Sequence, residues 1–259
     1  MSCVLIKRII KLGLRNLGYD IVRVYDTSSD ETWFVFDESC QIPFLSSIYS
    51  QIFGRVEPGV LVEIGAFDGI SYSNSSGLLD RGWCGILVEP MPIFAEKCRQ
   101  RYSENAKVRV IEKAISNQTG NQVLEVAGPL STLSNQLFEE YKKLEWSKPS
   151  VTNSSINVET ITLDQLLENE KIEPNFELLV VDVEGFETEV FQGFDIVRWK
   201  PKMIIVELSD FHPNLETHRK NHFMLGEELQ TAGYTVIYKD GINTIFVESK
   251  ILRGLFAEI

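Results

Sequence analysis

Residues 60–90 read VLVEIGAFDGISYSNSSGLLDRGWCGILVEP, and this stretch decides the fold. Val60-Leu61-Val62-Glu63-Ile64 is short, apolar and β-branched, the pattern of a strand buried on both faces. A glycine-spaced turn follows, Gly65-Ala66-Phe67-Asp68-Gly69, and then Ser71, Ser73, Asn74 and Ser75, residues that suit the start of a helix. A second apolar strand, Gly85-Ile86-Leu87-Val88, ends in Glu89-Pro90. Strand, glycine turn, helix, and a strand closed by a carboxylate make up a nucleotide-binding βαβ unit. Glycines let the backbone approach a ligand closely, and an acid about 20 residues beyond them can hold ribose hydroxyls.

The turn departs from the nicotinamide fingerprint G-x-G-x-x-G, because Phe67 fills its second glycine position. A pyrophosphate needs that close approach; a Gly65-x-x-x-Gly69 turn with an acid before it suits a ligand without phosphates. S-adenosylmethionine is such a ligand. At these residues the chain resembles class I methyltransferases, and more narrowly the FkbM family. The matching segments are VEIGAFDGISYS, ILVEP, AISNQTG, STL, ITLDQLL, LLVVDVEGFETEVFQGF and IIVEL, in the family's order from about residue 60 to 208. The resemblance implies a Rossmann-like α/β fold: a mostly parallel seven-stranded sheet, an antiparallel C-terminal hairpin and a small N-terminal extension. It also implies S-adenosylmethionine as cofactor and a sugar, glycan or polar natural product as methyl acceptor.

Beyond residue 90 the chain alternates. Helices are expected over 92–102, 162–170, 187–199 and 223–231, with strands over 108–111, 123–126, 178–185 and 203–207. A hairpin is expected around Asp240-Gly241. Residues 128–158 interrupt the rhythm with Ser, Thr, Asn and Pro, and read as a substrate-side lid or a solvated excursion in which Tyr141 and Trp146 could meet a sugar ring. We divide the chain into residues 1–55, an N-terminal helix and cap, and residues 56–259, the catalytic domain.

The functional reading rests on where the acids fall. Glu63, Glu89, Asp182 and Glu207 stand at or just inside the carboxyl ends of predicted parallel strands, and Glu184 follows two residues after Asp182. In an open α/β sheet those ends share one edge, where ligands bind. Clustered carboxylates beside apolar walls repel one another and lose hydration, and a sulfonium, ribose hydroxyls and an α-amino group would compensate. Gly65, Ala66, Phe67, Asp68 and Gly69 are expected to frame the methionine end, with Ser71 or Ser73 supplying hydrogen bonds and Glu89-Pro90 the ribose contact. By the resemblance, Ile115 and Ser116 meet the adenine and Asp182 sits near the reactive methyl. Asp182, Glu184, Glu207 and His212 are the candidates for a general base. Asp182, Glu184 and Glu207 could also hold a divalent cation, though no metal ligand is assigned. His218 and His222, four apart, read as surface residues.

The 259 residues carry a net charge of −12, which opposes binding to a phosphate backbone, so nucleic acid is not an expected partner. Cys3, Cys40, Cys84 and Cys98 form no C-x-x-C pair and read as reduced thiols, placing the protein in the cytoplasm. Residues 1–25 hold Lys7, Arg8, Lys11, Arg15 and Arg23 against Asp20, a local charge of +4, which leaves −16 for the rest. Their apolar residues recur at helical spacing, so residues 1–20 are expected to form a basic amphipathic helix. It packs on the domain or on a second subunit as a homodimer contact, or lies on the inner face of a membrane. The competing readings of the whole chain are a cofactor-binding or membrane-docking module without catalysis, and a nicotinamide-dependent oxidoreductase.

Overall fold

The computed structural model describes residues 34–54, 58–208 and 215–257. The expected N-terminal helix and His212 lie outside these residues.

A seven-stranded sheet organises the described chain. Its strands are β1 (Val60–Ile64), β2 (Cys84–Val88), β3 (Val108–Ile111), β7 (Leu178–Val181), β8 (Met203–Glu207), β9 (Tyr234–Lys239) and β10 (Asn243–Glu248). They lie in the order β3-β2-β1-β7-β8-β10-β9. The pairs from β3 through β8 are parallel, and β10 runs antiparallel to both β8 and β9. This is the expected sheet, with β10 as its one reversed strand. Its central strands are apolar apart from Glu63 in β1 and Glu207 at the end of β8, because both faces are covered. One face packs on Leu163, Trp199, Leu225 and their neighbours, the other on Leu45, Tyr49, Leu78 and Trp83.

The helices α1 (Leu45–Phe53), α2 (Ser76–Leu79), α3 (Pro92–Arg101), α5 (Leu163–Asn169), α6 (Glu187–Gln192), α7 (Ile196–Trp199), α8 (Arg219–Thr231) and α9 (Ser249–Ala257) cover that sheet. Helix α3 begins with proline, where a missing amide hydrogen costs least. A capping box between Thr162 and Gln165 opens α5. Ahead of residue 56, α1 buries Leu45 and Tyr49, and the Tyr49 hydroxyl donates to the Asn74 carbonyl.

Three expectations are corrected. The helix expected over 187–199 is broken between α6 and α7, where Gly193 ends one helix and the Asp195 carboxylate caps the next by accepting from the Val197 and Arg198 amides. Residues 128–158 are neither all lid nor all solvated. They contain α4 (Asn135–Tyr141) and the start of β6 (Ser155–Ile161), which forms a second, three-stranded sheet with β4 (Ala114–Ile115) and β5 (Gly120–Glu125) in the order β4-β6-β5. Finally, β7 stops at Val181, so Asp182 to Gly185 form a turn in which Glu184 and Gly185 both have positive φ. No helix among the described residues is long and apolar enough to cross a membrane.

Candidate active site

The register of the parallel strands explains how the acids meet. Ile64 pairs with both Val88 and Val181, and Val181 with Val206. One residue further along each strand stand Gly65, Glu89, Asp182 and Glu207, at one level on the carboxyl edge. The Asp182 amide donates to the Ile64 carbonyl at 3.0 Å. Gly65 is required there: its φ is +88°, and a Cβ at this position would lie 1.7 Å from the Asp182 carbonyl oxygen.

A cavity of about 560 Å³ opens over this edge. Glu63, Glu89, Asp182, Glu184 and Glu207 all line it. Gly65, Ala66, Phe67, Ser71, Ser73, Pro90 and Ile115 also line it. Asp68, Gly69 and Ser116 stand behind the wall. The Asp68 carboxylate instead accepts from the Ile70 and Ser71 amides at 3.1 and 2.8 Å, which closes the turn. Gly69, at φ +79°, packs against Cys98 and Tyr102, and Ser116 takes a hydrogen bond from Gln122. The serine hydroxyls donate inside the chain, Ser71 to Asp68 and Ser73 to Glu63.

Each acid has a distinct environment. Glu63 is 4% exposed and receives the Ser75 hydroxyl at 2.7 Å; burial pushes its carboxyl up to about 7, and the nearby Asp182 adds to that. Glu89 is 6% exposed and is also pushed to about 7 by burial, although the Phe67 and Met91 amides donate to its two oxygens at 3.0 and 2.8 Å. Glu89 thus fastens the glycine turn to the start of α3 and still faces the cavity.

Asp182, Glu184 and Glu207 can bring one oxygen each to within 4.8 Å of one another. Desolvation, then mutual repulsion, raises the carboxyls of Glu184 and Glu207. Asp182 is raised by desolvation too, which outweighs the lowering effect of its Glu207 neighbour. These three are half-buried and face the cavity. Tyr141, on α4, donates its hydroxyl to Glu184, and Trp146 packs edge-on against that ring with centroids 5.8 Å apart. Both aromatics line the cavity.

Sequence reading missed one group beside this site. Glu187 is fully buried, and His222 is 1% exposed with its Nε2 3.0 Å from Glu187 Oε2. His222 is therefore no surface residue. The two are 35 positions apart, and no local spacing signals the pair.

Buried acids fix the sign of the pH dependence. A carboxyl whose folded pKa is raised from 4.5 to about 7 binds its proton more tightly when folded. Its stabilising effect is complete below pH 4.5 and is lost as pH rises through 7. Glu63 and Glu89 each account for roughly 3 kcal/mol over that window. His218, whose pKa burial lowers, opposes them below its ordinary value, but the acids outnumber it. The ligand-free protein is expected to melt at least about 5 °C lower at pH 8 than at pH 5 by calorimetry. An unchanged or rising melting temperature would contradict the burial of these carboxyls.

A parallel sheet with one reversed strand near its edge, a glycine turn after β1 and an acid after β2 define the class I methyltransferase fold. The sequence matches the family described as "Methyltransferase FkbM domain" over residues 63–236, more than half of the chain, and the chain belongs to that family. It is 26% identical over 190 residues to the 2-O-methyltransferase NoeI of Sinorhizobium fredii, which covers 68% of this chain and 74% of that protein. Among solved structures it is similar to methyltransferase FkbM from Methylobacillus flagellatus, at 14% identity and a TM-score of 0.47, over 77% of this chain and 47% of that one. A precorrin-6y C5,15-methyltransferase from Geobacter metallireducens gives 13% identity and a TM-score of 0.41, over 85% and 94% of the two chains. The chain therefore spans less than half of the solved FkbM protein.

Proposed function

We propose that this methyltransferase uses S-adenosylmethionine to methylate a hydroxyl oxygen of a sugar, a glycan or another polar natural product. The observation that carries the reading is the convergence of five carboxylates on one cavity whose floor, at Gly65, leaves no room for a side chain. Such a wall favours a ligand that brings positive charge and hydroxyl donors. S-adenosylmethionine fits these residues, and when bound it supplies a methyl group on a positively charged sulfur.

The turn from Gly65 to Phe67 would take the amino-acid end, Glu89 the ribose hydroxyls, and Ile115 the apolar face of the base. Glu89 keeps acceptor capacity for this after receiving two amides, because each carboxylate oxygen offers two lone pairs. On the other side, Tyr141 and Trp146 offer a surface for an acceptor ring. Positioning the acceptor oxygen is the main work of the site. A neutral hydroxyl is a poor nucleophile, and desolvation raises the carboxyls of Asp182, Glu184 and Glu207, which makes the ionised form of any of them a stronger base for its proton. The 2-O-methyltransferase name of the relative supports an oxygen acceptor.

A second reading has Asp182, Glu184 and Glu207 share a divalent cation, since their oxygens group within 4.8 Å. A calorimetric titration with magnesium separates the two. Heat of binding that disappears in Asp182→Asn supports the cation, and no heat up to millimolar supports acids that act without a metal.

The test of the main reading is binding and transfer. S-adenosylhomocysteine is expected to bind with micromolar affinity while NADH does not. Labelled methyl groups are expected to enter a glycan or polar-metabolite fraction and to be recovered as O-methyl ethers after hydrolysis. A protein that ignores the cofactor at millimolar concentration would overturn the reading. Transfer to nitrogen would overturn its acceptor half.

A further inference from the structure

Behind the acid turn a chain of close contacts, buried except at the half-buried His218, runs from that turn to the helix carrying Tyr141. Glu187 opens α6, but its Oε1 accepts from the amides of Val183 and Gly185, at 3.1 and 3.2 Å, and so faces back onto the turn. Its Oε2 lies 3.0 Å from His222 Nε2. The His222 ring stacks on His218, with centroids 5.6 Å apart and planes 20° from parallel. His218 Nε2 is 2.7 Å from the Ser134 hydroxyl. Ser134 caps α4 by accepting the Leu137 amide, which leaves its own hydrogen to donate to His218.

The path then closes on itself. Helix α4 ends at Tyr141, whose hydroxyl donates to Glu184, and Thr132 donates to the Glu184 carbonyl at 2.7 Å. The Glu140 carboxylate accepts the Glu216 amide at 2.8 Å, tying α4 to the turn before α8. Gly185 is held between the two sides: a Cβ there would lie 2.5 Å from Leu137 and 2.8 Å from His218.

We propose that Glu187, His222, His218 and Ser134 are positioning residues that join the Asp182–Gly185 turn to α4, so that Glu184 and Tyr141 are presented to the acceptor as one unit. The functional consequence rests on the reading of the cavity as a methyl-transfer site; the mechanical coupling does not. A carboxylate acting only as a local cap would need no imidazole behind it. An imidazole pair acting only as core filling would need no hydroxyl on a neighbouring helix.

Hydrogen–deuterium exchange on the full chain tests the coupling without turnover. In His218→Ala, exchange is expected to rise about tenfold in two separate segments, 134–141 and 182–187, while 60–64 and 203–207 stay as in the parent. His218→Gln, whose amide can occupy the Nε2 position, is expected to return both segments most of the way. Faster exchange confined to 134–141, or a rise that glutamine does not reverse, would overturn the proposal. If His218→Ala loosens the whole sheet, Glu187→Gln serves instead. It keeps the oxygen that faces the turn and changes only the atom facing His222, so the expected signal is a rise in the distant segment 134–141. Silence there would overturn the coupling. Coupled exchange in a protein that transfers no methyl group would refute the catalytic reading and leave the coupling intact.

Discussion

Gly65→Ala is expected to abolish cofactor binding and to lower stability by about 3–5 kcal/mol, adding a left-handed alanine to a core overlap. The two contributions can be separated. Gly82 has nearly the same backbone, φ +86° against +88°, yet a Cβ there meets nothing within 4 Å. Gly82→Ala therefore reports the backbone cost alone, about 1–2 kcal/mol. At Gly65 the added carbon falls 1.7 Å from the Asp182 carbonyl oxygen, which is backbone and cannot rotate away. The chain must separate β1 from β7 just beyond their last paired residues, and that displaces Asp182 and widens the floor of the cavity. Denaturant unfolding of both variants, with calorimetric titration of S-adenosylhomocysteine, checks this. Equal destabilisation at the two glycines, or retained binding in Gly65→Ala, would show that the close approach of these strands has no part in the site.

The same pair of strands shows how much of the molecule was legible in the chain. A run such as Leu178-Leu179-Val180-Val181 admits few readings other than a buried parallel strand, and the acid after it must reach the carboxyl edge. Glu89, Asp182 and Glu207 followed from that logic, because register across a parallel sheet is set by the apolar runs themselves. Glu184 did not follow in detail. Its place depends on the chain turning at positive φ directly after Val181, and a glutamate gives no local sign of that conformation.

Helix α4 was legible in part. Ser134 followed by Leu137, Phe138 and Tyr141 has a cap and helical spacing, but the surrounding polar residues masked it. Ile156 and Val158 alternate with polar neighbours as a half-buried strand does, which was the available signal for β6. Asp195, a capping residue two positions after a glycine, marked the break before α7. Glu187 and His222 are different in kind. They meet only because α6 and α8 cross behind the sheet edge, and such a meeting is a property of packing, not of spacing.

Asp182→Asn is expected to reduce methyl transfer by about 10²–10⁴-fold. Its effect on ligands should depend on their charge. S-adenosylmethionine carries a positive sulfur and the demethylated product does not, so the variant should bind the cofactor about tenfold more weakly while holding the product within about threefold. The protein itself should gain stability. Desolvation raises the Asp182 carboxyl, so its ionised form is a cost to the fold that is absent at low pH and complete once pH exceeds the raised value. Asparagine removes the charge and with it that pH-dependent cost. The variant should therefore melt higher than the parent at pH 8 and nearly level with it at pH 4. A module that binds the cofactor without catalysis has no turnover to lose, and a residue that only holds the loop together would lower the melting temperature. A more stable, catalytically silent protein that still binds the product is the outcome that fits a charge kept for chemistry. Unchanged transfer would move the base to Glu184 or Glu207.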